Sequence, residues 1–325
     1  MPDLVKESYR FRVSVFQISI AVLAAIALFL YGLTSFSREV QAAGGPVLRA
    51  WLTRATSRWW SGFGLGAGTT LLLQSSSATT SLTVALVDAH VITLVNSLPV
   101  MLGANVGTTV TAWLVSFKLT GLGAFFIVAG TLLGLLPLRW HIFGKAVFYF
   151  GIIFFSLDLI GLALTPIRQS GWLEEILLLT GNPWLGILAG AAVTVLVQSS
   201  SATSGLVVLL VQQGLMPAEH AIPMVVGANI GTTTTALLAS ISLSANARRA
   251  ALANTFFNAA GVLLLAPLMP VFVESMVRWT PSPAFAVALA HTVFNTLLAA
   301  FFMALWGLSR KRLEAKFGAV VCNTA

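Results

Sequence analysis

Residues Gln74 to Thr79 read Gln-Ser-Ser-Ser-Ala-Thr, and residues Gln198 to Thr203 repeat the same six letters. Each motif sits at the centre of a mainly apolar stretch, 59–91 and 183–215, each 33 residues long. A membrane-spanning helix needs about 20 apolar residues, so each stretch is too long for one straight span. About 14 residues flank each polar centre, or roughly 21 Å of helix. That length reaches mid-membrane and returns. Both stretches therefore read as re-entrant helical hairpins with polar tips inside the protein, because non-helical backbone at that depth needs protein or a water-filled cavity around it.

The rest of the chain has the composition this reading requires. Of 325 residues, 18 are Lys or Arg and 10 are Asp or Glu, so 9% are charged while 57% are hydrophobic. Soluble domains carry roughly 25% charge, and disordered chains are poor in apolar residues, so both classes are excluded. The apolar runs are continuous rather than alternating, which argues against a membrane barrel. The single cysteine, Cys322, excludes a disulfide scaffold and a Cys-based metal site. The net charge of +8 sits between apolar runs, as loop charges do, so nucleic acid is not an expected partner. The fold class is all-α: a polytopic helical protein of the lipid bilayer.

Seven runs are long enough to span: 13–36, 92–117, 119–138, 142–167, 218–243, 250–273 and 284–308. The first exceeds the usual core of a signal peptide. Between the first run and the first hairpin, the basic stretch Arg38 to Arg58 ends at Trp59-Trp60 and reads as an interfacial helix with an aromatic anchor. A shift of 124 residues superposes the chain on itself, with 19 identities in the 40 positions from Gln74 to Trp113. Pro99 falls on Pro223, and Gly103–Thr109 (GANVGTT) falls on Gly227–Thr233 (GANIGTT). Apolar bias accounts for matched Leu and Val, not for matched Gln, Asn, Pro and Ser runs. Three spans lie between the hairpins, an odd number, so the second copy is expected upside down. One membrane transport domain over 1–325 is expected, with repeat 1 about 59–138, repeat 2 about 183–273 and no C-terminal soluble regulatory domain. Inverted repeats with broken elements at the midplane are a transporter architecture. Twelve of the 18 basic residues sort to one side, which places the C-terminus in the cytoplasm and the protein in the cell membrane.

The polar motifs carry the chemistry. Ser is a good N-cap, and each tip precedes a helix, so free N–H groups and the positive end of the helix dipole point at it. That is an anion site without a cation, with hydroxyl donors added by Ser and an orienting amide by Gln. The alternative is helix-packing glue between membrane helices; duplication at matched positions favours the site. Gly103/Gly107 and Gly227/Gly231 are spaced to break a helix, so that freed carbonyls with Asn and Thr oxygens coordinate a hard cation, or to form a close packing face. No Lys or Arg lies in either hairpin core or either Gly-Asn-Gly-Thr stretch. A buried anion needs neutralisation, so a co-bound cation such as sodium is expected. Asp158 in FFSLDLIG is an intramembrane acid, a cation ligand or a helix-pairing partner. Asp88 and Glu219 lie near segment ends, and Asn254/Asn258 and His291/Asn295 mark polar helix faces at i, i+4 spacing. No nucleophile elbow, zinc helix motif or Walker lysine is present in the sequence, so no enzyme and no cofactor are expected.

The two QSSSAT motifs, each followed by Gly-Ala-Asn-x-Gly-Thr-Thr, resemble the sodium–phosphate cotransporter family of type II and its bacterial relatives. Residues 247–258 (ARRAALANTFFN), 290–295 (AHTVFN) and 151–160 (GIIFFSLDLI) are similar to that family as well. The resemblance covers about 13–308. It implies two inverted repeats with re-entrant hairpins, carrying inorganic phosphate with sodium. By motif match, Gln74, Ser75, Ser76, Ser77, Gln198, Ser199, Ser200 and Ser201 would bind substrate. Asn105, Thr108, Thr109, Asn229, Thr232 and Thr233 would bind the cation. Some bacterial relatives are linked to phosphate export, so export, or carriage of sulfate, arsenate or a dicarboxylate, stands as the alternative.

Overall fold

Uncharged runs of Leu, Val, Ala and Phe satisfy their backbone in lipid by forming helices. The computed structural model describes residues 15–55, 59–117, 121–136, 141–168 and 181–317, and among these there is no strand. In chain order the helices are α1 (Val15–Ala55), α2 (Trp59–Leu73), α3 (Ser76–Asp88), α4 (Leu94–Thr108), α5 (Val110–Ser116), α6 (Gly123–Leu135), α7 (His141–Arg168), α8 (Pro183–Val197), α9 (Ser200–Gln212), α10 (Ala218–Ser240), α11 (Ala245–Leu265), α12 (Met269–Arg278) and α13 (Pro283–Phe317). The side chains of Leu132, Leu135, Leu162, Leu196 and Leu308 face outward, and Thr70, Thr79, Ser201, Asn229 and Asn295 are buried. Apolar outside and polar inside is the arrangement of a protein solvated by lipid.

Among the described residues six helices are long and apolar enough to cross a membrane, where seven spans are expected. The run 119–138 yields only α6, 13 residues or roughly 20 Å. Gly121 turns the chain in at φ +88, and Leu136, extended ahead of Pro137, ends the helix. The boundary expected at residue 36 is absent, and the basic stretch after it is no separate element. α1 passes residue 36 because Glu39-Val40-Gln41-Ala42 contains no breaker and Gln41 donates to Ser37 Oγ across the supposed junction, and it continues through Gly44-Gly45-Pro46 to Ala55. The run 250–273 begins earlier, at Ala245 behind the cap Ser244, and a 3₁₀ turn at Ala266–Leu268 leads into α12. Lys6, Arg10, Arg12, Arg58, Lys118, Arg139 and Cys322 lie outside the described residues.

The two halves interlock. α2 lies along α4 and α8 lies along α10. α3 reaches from the first half onto α10 and α11, and α9 reaches from the second onto α5. A core of Phe29, Phe154, Leu157, Leu209 and Ile222 joins α1, α7, α9 and α10. Pro99 and Pro223 sit inside α4 and α10. Proline has no N–H to give the carbonyl four residues back, and at Pro99 that carbonyl, Val95 O, accepts instead from Trp306 Nε1 of α13 at 3.1 Å.

Candidate functional site

Each QSSS motif is a break between two helices that pack on one another. Gln74 and Gln198 hold φ of +51 and +56, a left-handed conformation that costs a side-chain-bearing residue about 1–2 kcal/mol. The next residue is extended and caps the following helix: Ser75 Oγ accepts from Ala78 N and Ser199 Oγ from Ala202 N, both at 3.2 Å. The break is braced from both sides by threonine pairs, Thr70 Oγ1 to Thr79 Oγ1 at 3.0 Å and Thr194 Oγ1 to Thr203 Oγ1 at 2.9 Å. Both brackets obey the 124-residue offset, as does the far end of each helix, where His90 and Gly214 take positive φ behind α3 and α9. The repeat in sequence is thus a repeat in local structure.

The caps use Ser75 and Ser199, and the next two N–H groups of each helix precede the first intrahelical bond. Among the described residues, Ser76, Ser77, Ser200 and Ser201 donate their hydroxyls to no protein group. Each tip therefore presents two peptide N–H groups and two hydroxyls at a helix N-terminus, with no cationic side chain in the motif. The two tips are not hydrogen-bonded to one another among the described residues. An apolar cavity lies beside the first tip, where Gln74 and Thr111 meet Leu33, Phe36, Phe150 and Phe154.

The Gly-Asn-Gly-Thr stretches do not unwind at their glycines. α4 is helical through Gly103 and Gly107 and is interrupted only at Thr109, and α10 is unbroken through Gly227–Thr233. The glycines serve close packing: a Cβ on Gly107 would stand 2.5 Å from Ala67 O, and one on Gly231 would stand 2.5 Å from Ala191 O. The hydroxyls of Thr108 and Thr232 donate to their own helices at Ala104 O and Ala228 O, and those of Thr109 and Thr233 at Val106 O and Ile230 O. A hydroxyl that donates still has lone pairs to offer a cation. Asn105 and Asn229 differ: Asn105 Nδ2 donates to Asn258 Oδ1 at 3.1 Å, and Asn229 Nδ2 turns back onto Val225 O and Val226 O.

Asn254 and Asn258 form one polar edge, with Asn258 Nδ2 donating to Asn254 O. On α13, Asn295 Nδ2 donates to His291 O, and Asn295 Oδ1 and both ring nitrogens of His291 are buried without a partner. Asp158 Oδ2 accepts from Gly121 N at 2.9 Å and so fastens the turn before α6. Asp88 Oδ1 accepts from Ser244 N at 2.7 Å; this bond and one to the Ser244 side chain hold its carboxyl below the ordinary range. Sequence reasoning missed Thr70, Thr79, Thr194 and Thr203 as braces, and Thr111, whose hydroxyl donates to Gln74 Oε1 at 2.7 Å. The signal was there: Thr79/Thr203 and Thr111/Thr235 are among the identities at offset 124, and Thr70/Thr194 lies four residues before the matched Gln74/Gln198.

The family model described as Na+/Pi-cotransporter matches residues 28–161 and 168–315. The chain is 32% identical over 277 residues to the "Putative inorganic phosphate export protein YjbB" of Escherichia coli (strain K12), covering 84% of this chain and 51% of that protein. The chain thus spans about half the length of that curated relative. It is 28% identical over 295 residues to YqeW of Bacillus subtilis (strain 168), covering 90% and 95% of the two chains. Over 94 residues, 28% of this chain and 13% of the other, it is 45% identical to the human "Sodium-dependent phosphate transport protein 2B". No solved structure matches.

Proposed function

The chain belongs to the Na+/Pi-cotransporter family, and from that premise we propose that it carries inorganic phosphate across the cell membrane together with sodium, by alternating access around its two polar tips. The observation that carries the reading is the doubled tip: two left-handed glutamines, two serine caps and four free serine hydroxyls, repeated at one offset. Gln74, Ser75, Ser76 and Ser77 with Gln198, Ser199, Ser200 and Ser201 form the substrate site. Helix N-termini and hydroxyls suit a tetrahedral oxyanion. No lysine or arginine lies in the tips, so part of the anion's charge is offset by helix dipoles and the rest by the co-transported sodium. Oxygens of Asn105, Thr108, Thr109, Asn229, Thr232 and Thr233 provide the cation ligands.

In this reading each helix–break–helix unit, α2–α3 and α8–α9, is a re-entrant hairpin that returns to its own side. For the repeats to be inverted an odd number of crossings must separate them, so this reading requires α6, although at 13 residues it is shorter than a full span, to cross together with α4–α5 and α7. The repeats, about 59–138 and 183–273, then have opposite orientation within one transport domain, and the excess of loop Lys and Arg on one side supports a cytoplasmic C-terminus.

The test is uptake of labelled phosphate into proteoliposomes. Inward sodium should drive it, and replacing sodium with a large organic cation should abolish it. Ser76→Ala combined with Ser200→Ala should remove uptake and leave the chain eluting and melting as the parent does. Uptake retained in that variant would sink the site assignment. The name of the Escherichia coli relative favours a second reading, export. Vesicles loaded with phosphate, assayed under each sodium gradient, separate the two. Competition by sulfate, arsenate and dicarboxylates fixes the oxyanion.

A further inference from the structure

Sequence repetition predicts that the two halves make the same contacts, and at two places they do not. In the first half Thr111 Oγ1 donates to Gln74 Oε1 at 2.7 Å. The residues at offset 124 are Thr235 and Gln198, where Thr235 Oγ1 is buried without a partner and Gln198 is exposed. The second place needs another repeat. Residues 253–258 (ANTFFN) and 290–295 (AHTVFN) share Ala, Thr, Phe and the final Asn, and they lie on α11 and α13. α11 packs against α4 and α13 against α10, so the counterpart of the pair Asn105–Asn258 is Asn229–Asn295. The first pair is made, Asn105 Nδ2 to Asn258 Oδ1 at 3.1 Å. The second is open: Asn229 Nδ2 donates to its own helix and Asn295 Oδ1 is buried without a partner.

A buried polar atom without a partner costs about 1–3 kcal/mol, and native interiors rarely tolerate one without a reason. Here both breaches fall on α10, which carries Thr235 and Asn229, while their counterparts Thr111 and Asn105 on α5 and α4 are bonded. We infer that the two pairs are a latch that closes one half at a time: the opposite conformation closes Thr235 on Gln198 and Asn229 on Asn295, and releases Thr111 from Gln74 and Asn105 from Asn258. The exchange is balanced, because each conformation makes one set of bonds and leaves the matching atoms of the other half open. Near-degenerate packings of this kind are what a two-state carrier requires. The inference rests on the reading of the chain as two alternately opening repeats.

The experiment uses the full chain with Cys322→Ser as background and counts thiols without reference to cargo. Gln74→Cys with Thr111→Cys, and separately Gln198→Cys with Thr235→Cys, are treated with a short bifunctional thiol reagent. Free thiols are then counted by maleimide mass-tagging on a denaturing gel. Both pairs should bridge, and a chain carrying all four cysteines should accept one bridge and keep two thiols. Asn105→Cys with Asn258→Cys and Asn229→Cys with Asn295→Cys provide the second, independent set. Two bridges in one chain, or no bridging of either second-half pair with or without sodium and phosphate, would overturn the latch. Exclusive bridging in a protein that moves no phosphate would uphold the latch and count against the cargo reading alone.

Discussion

Replacing Gly107 with alanine tests the close packing of α2 on α4 more sharply than any change at the tips. An added Cβ would stand 2.5 Å from Ala67 O and 2.9 Å from Thr70 Cβ. Ordinary contact begins near 3.4 Å, so the carbonyl would have to retreat by 3.4 − 2.5 = 0.9 Å. The atom met is helix backbone rather than the end of a flexible side chain, so the cost falls near the top of the range of about 1–3 kcal/mol for overpacking. Alanine returns about 1 kcal/mol of helix propensity, which leaves a net loss of about 2 kcal/mol. Gly64 on α2 has no heavy atom within 4 Å of such a Cβ, so Gly64→Ala should gain the propensity alone. The two variants should differ by about 3 kcal/mol, or roughly two orders of magnitude in the folding equilibrium. Reversible unfolding in mixed micelles, followed by the fluorescence of the nine tryptophans, measures this directly. Gly231→Ala, whose Cβ would stand 2.5 Å from Ala191 O, should match Gly107→Ala. Equal stability of Gly107→Ala and Gly64→Ala would refute the contact, and with it the placement of both glycine motifs.

Trp306→Phe keeps an aromatic ring and removes the indole N–H that donates to Val95 O, so the variant should lose about 1–3 kcal/mol, read as a lower melting temperature in detergent. Thr111→Val should lose about 1 kcal/mol by breaking the bond to Gln74. Thr235→Val removes an unpartnered hydroxyl and should be neutral or stabilising; equal losses in the two would count against the inequality of the halves. Asp88, at the end of α3 and outside the six long spans, has its carboxyl held down by Ser244. A depressed carboxylate contributes stability that is complete above its unfolded value and lost as pH falls through the folded one. The junction of α3 with α11 should therefore loosen only below about pH 4, seen as faster backbone exchange at 244–247, and Asp88→Asn should remove that acid step.

Much of the fold was legible because lipid leaves the chain few choices. Uncharged runs must be helical, and the Gln-Ser-Ser-Ser interruptions must interrupt them, as Gln74 and Gln198 do. What went wrong went wrong at boundaries decided by single residues. The turn at Gly121 and the extended Leu136 bound α6 at 13 residues, and the absence of any breaker between Phe36 and Ala42 carries α1 past its expected end. The glycine motifs pose a harder case. Gly103 and Gly107 have the same spacing whether they open a helix or let another helix approach, and only the position of the Ala67 carbonyl decides between them. Spacing along one chain does not record where a second backbone lies.

The inequality of the halves was illegible for a deeper reason. Sequence identity at offset 124 says that Thr111 and Thr235 can do the same thing, and not that they do it together. Symmetry of sequence with asymmetry of contacts is what a molecule with two exchangeable conformations must display, since any single conformation realises one half of the pattern. The unpartnered Thr235 Oγ1 and Asn295 Oδ1 are then intelligible as the cost of holding the other arrangement in reserve. A rigid scaffold would have no use for that cost. Thr235→Val with Asn295→Leu should accordingly give a protein that melts higher and stays closed at its first tip, so that Gln74→Cys with Thr111→Cys and Asn105→Cys with Asn258→Cys both bridge in it. A higher melting temperature with unchanged bridging of Asn229→Cys and Asn295→Cys in the Thr235→Val single variant would confine the latch to the asparagine pair.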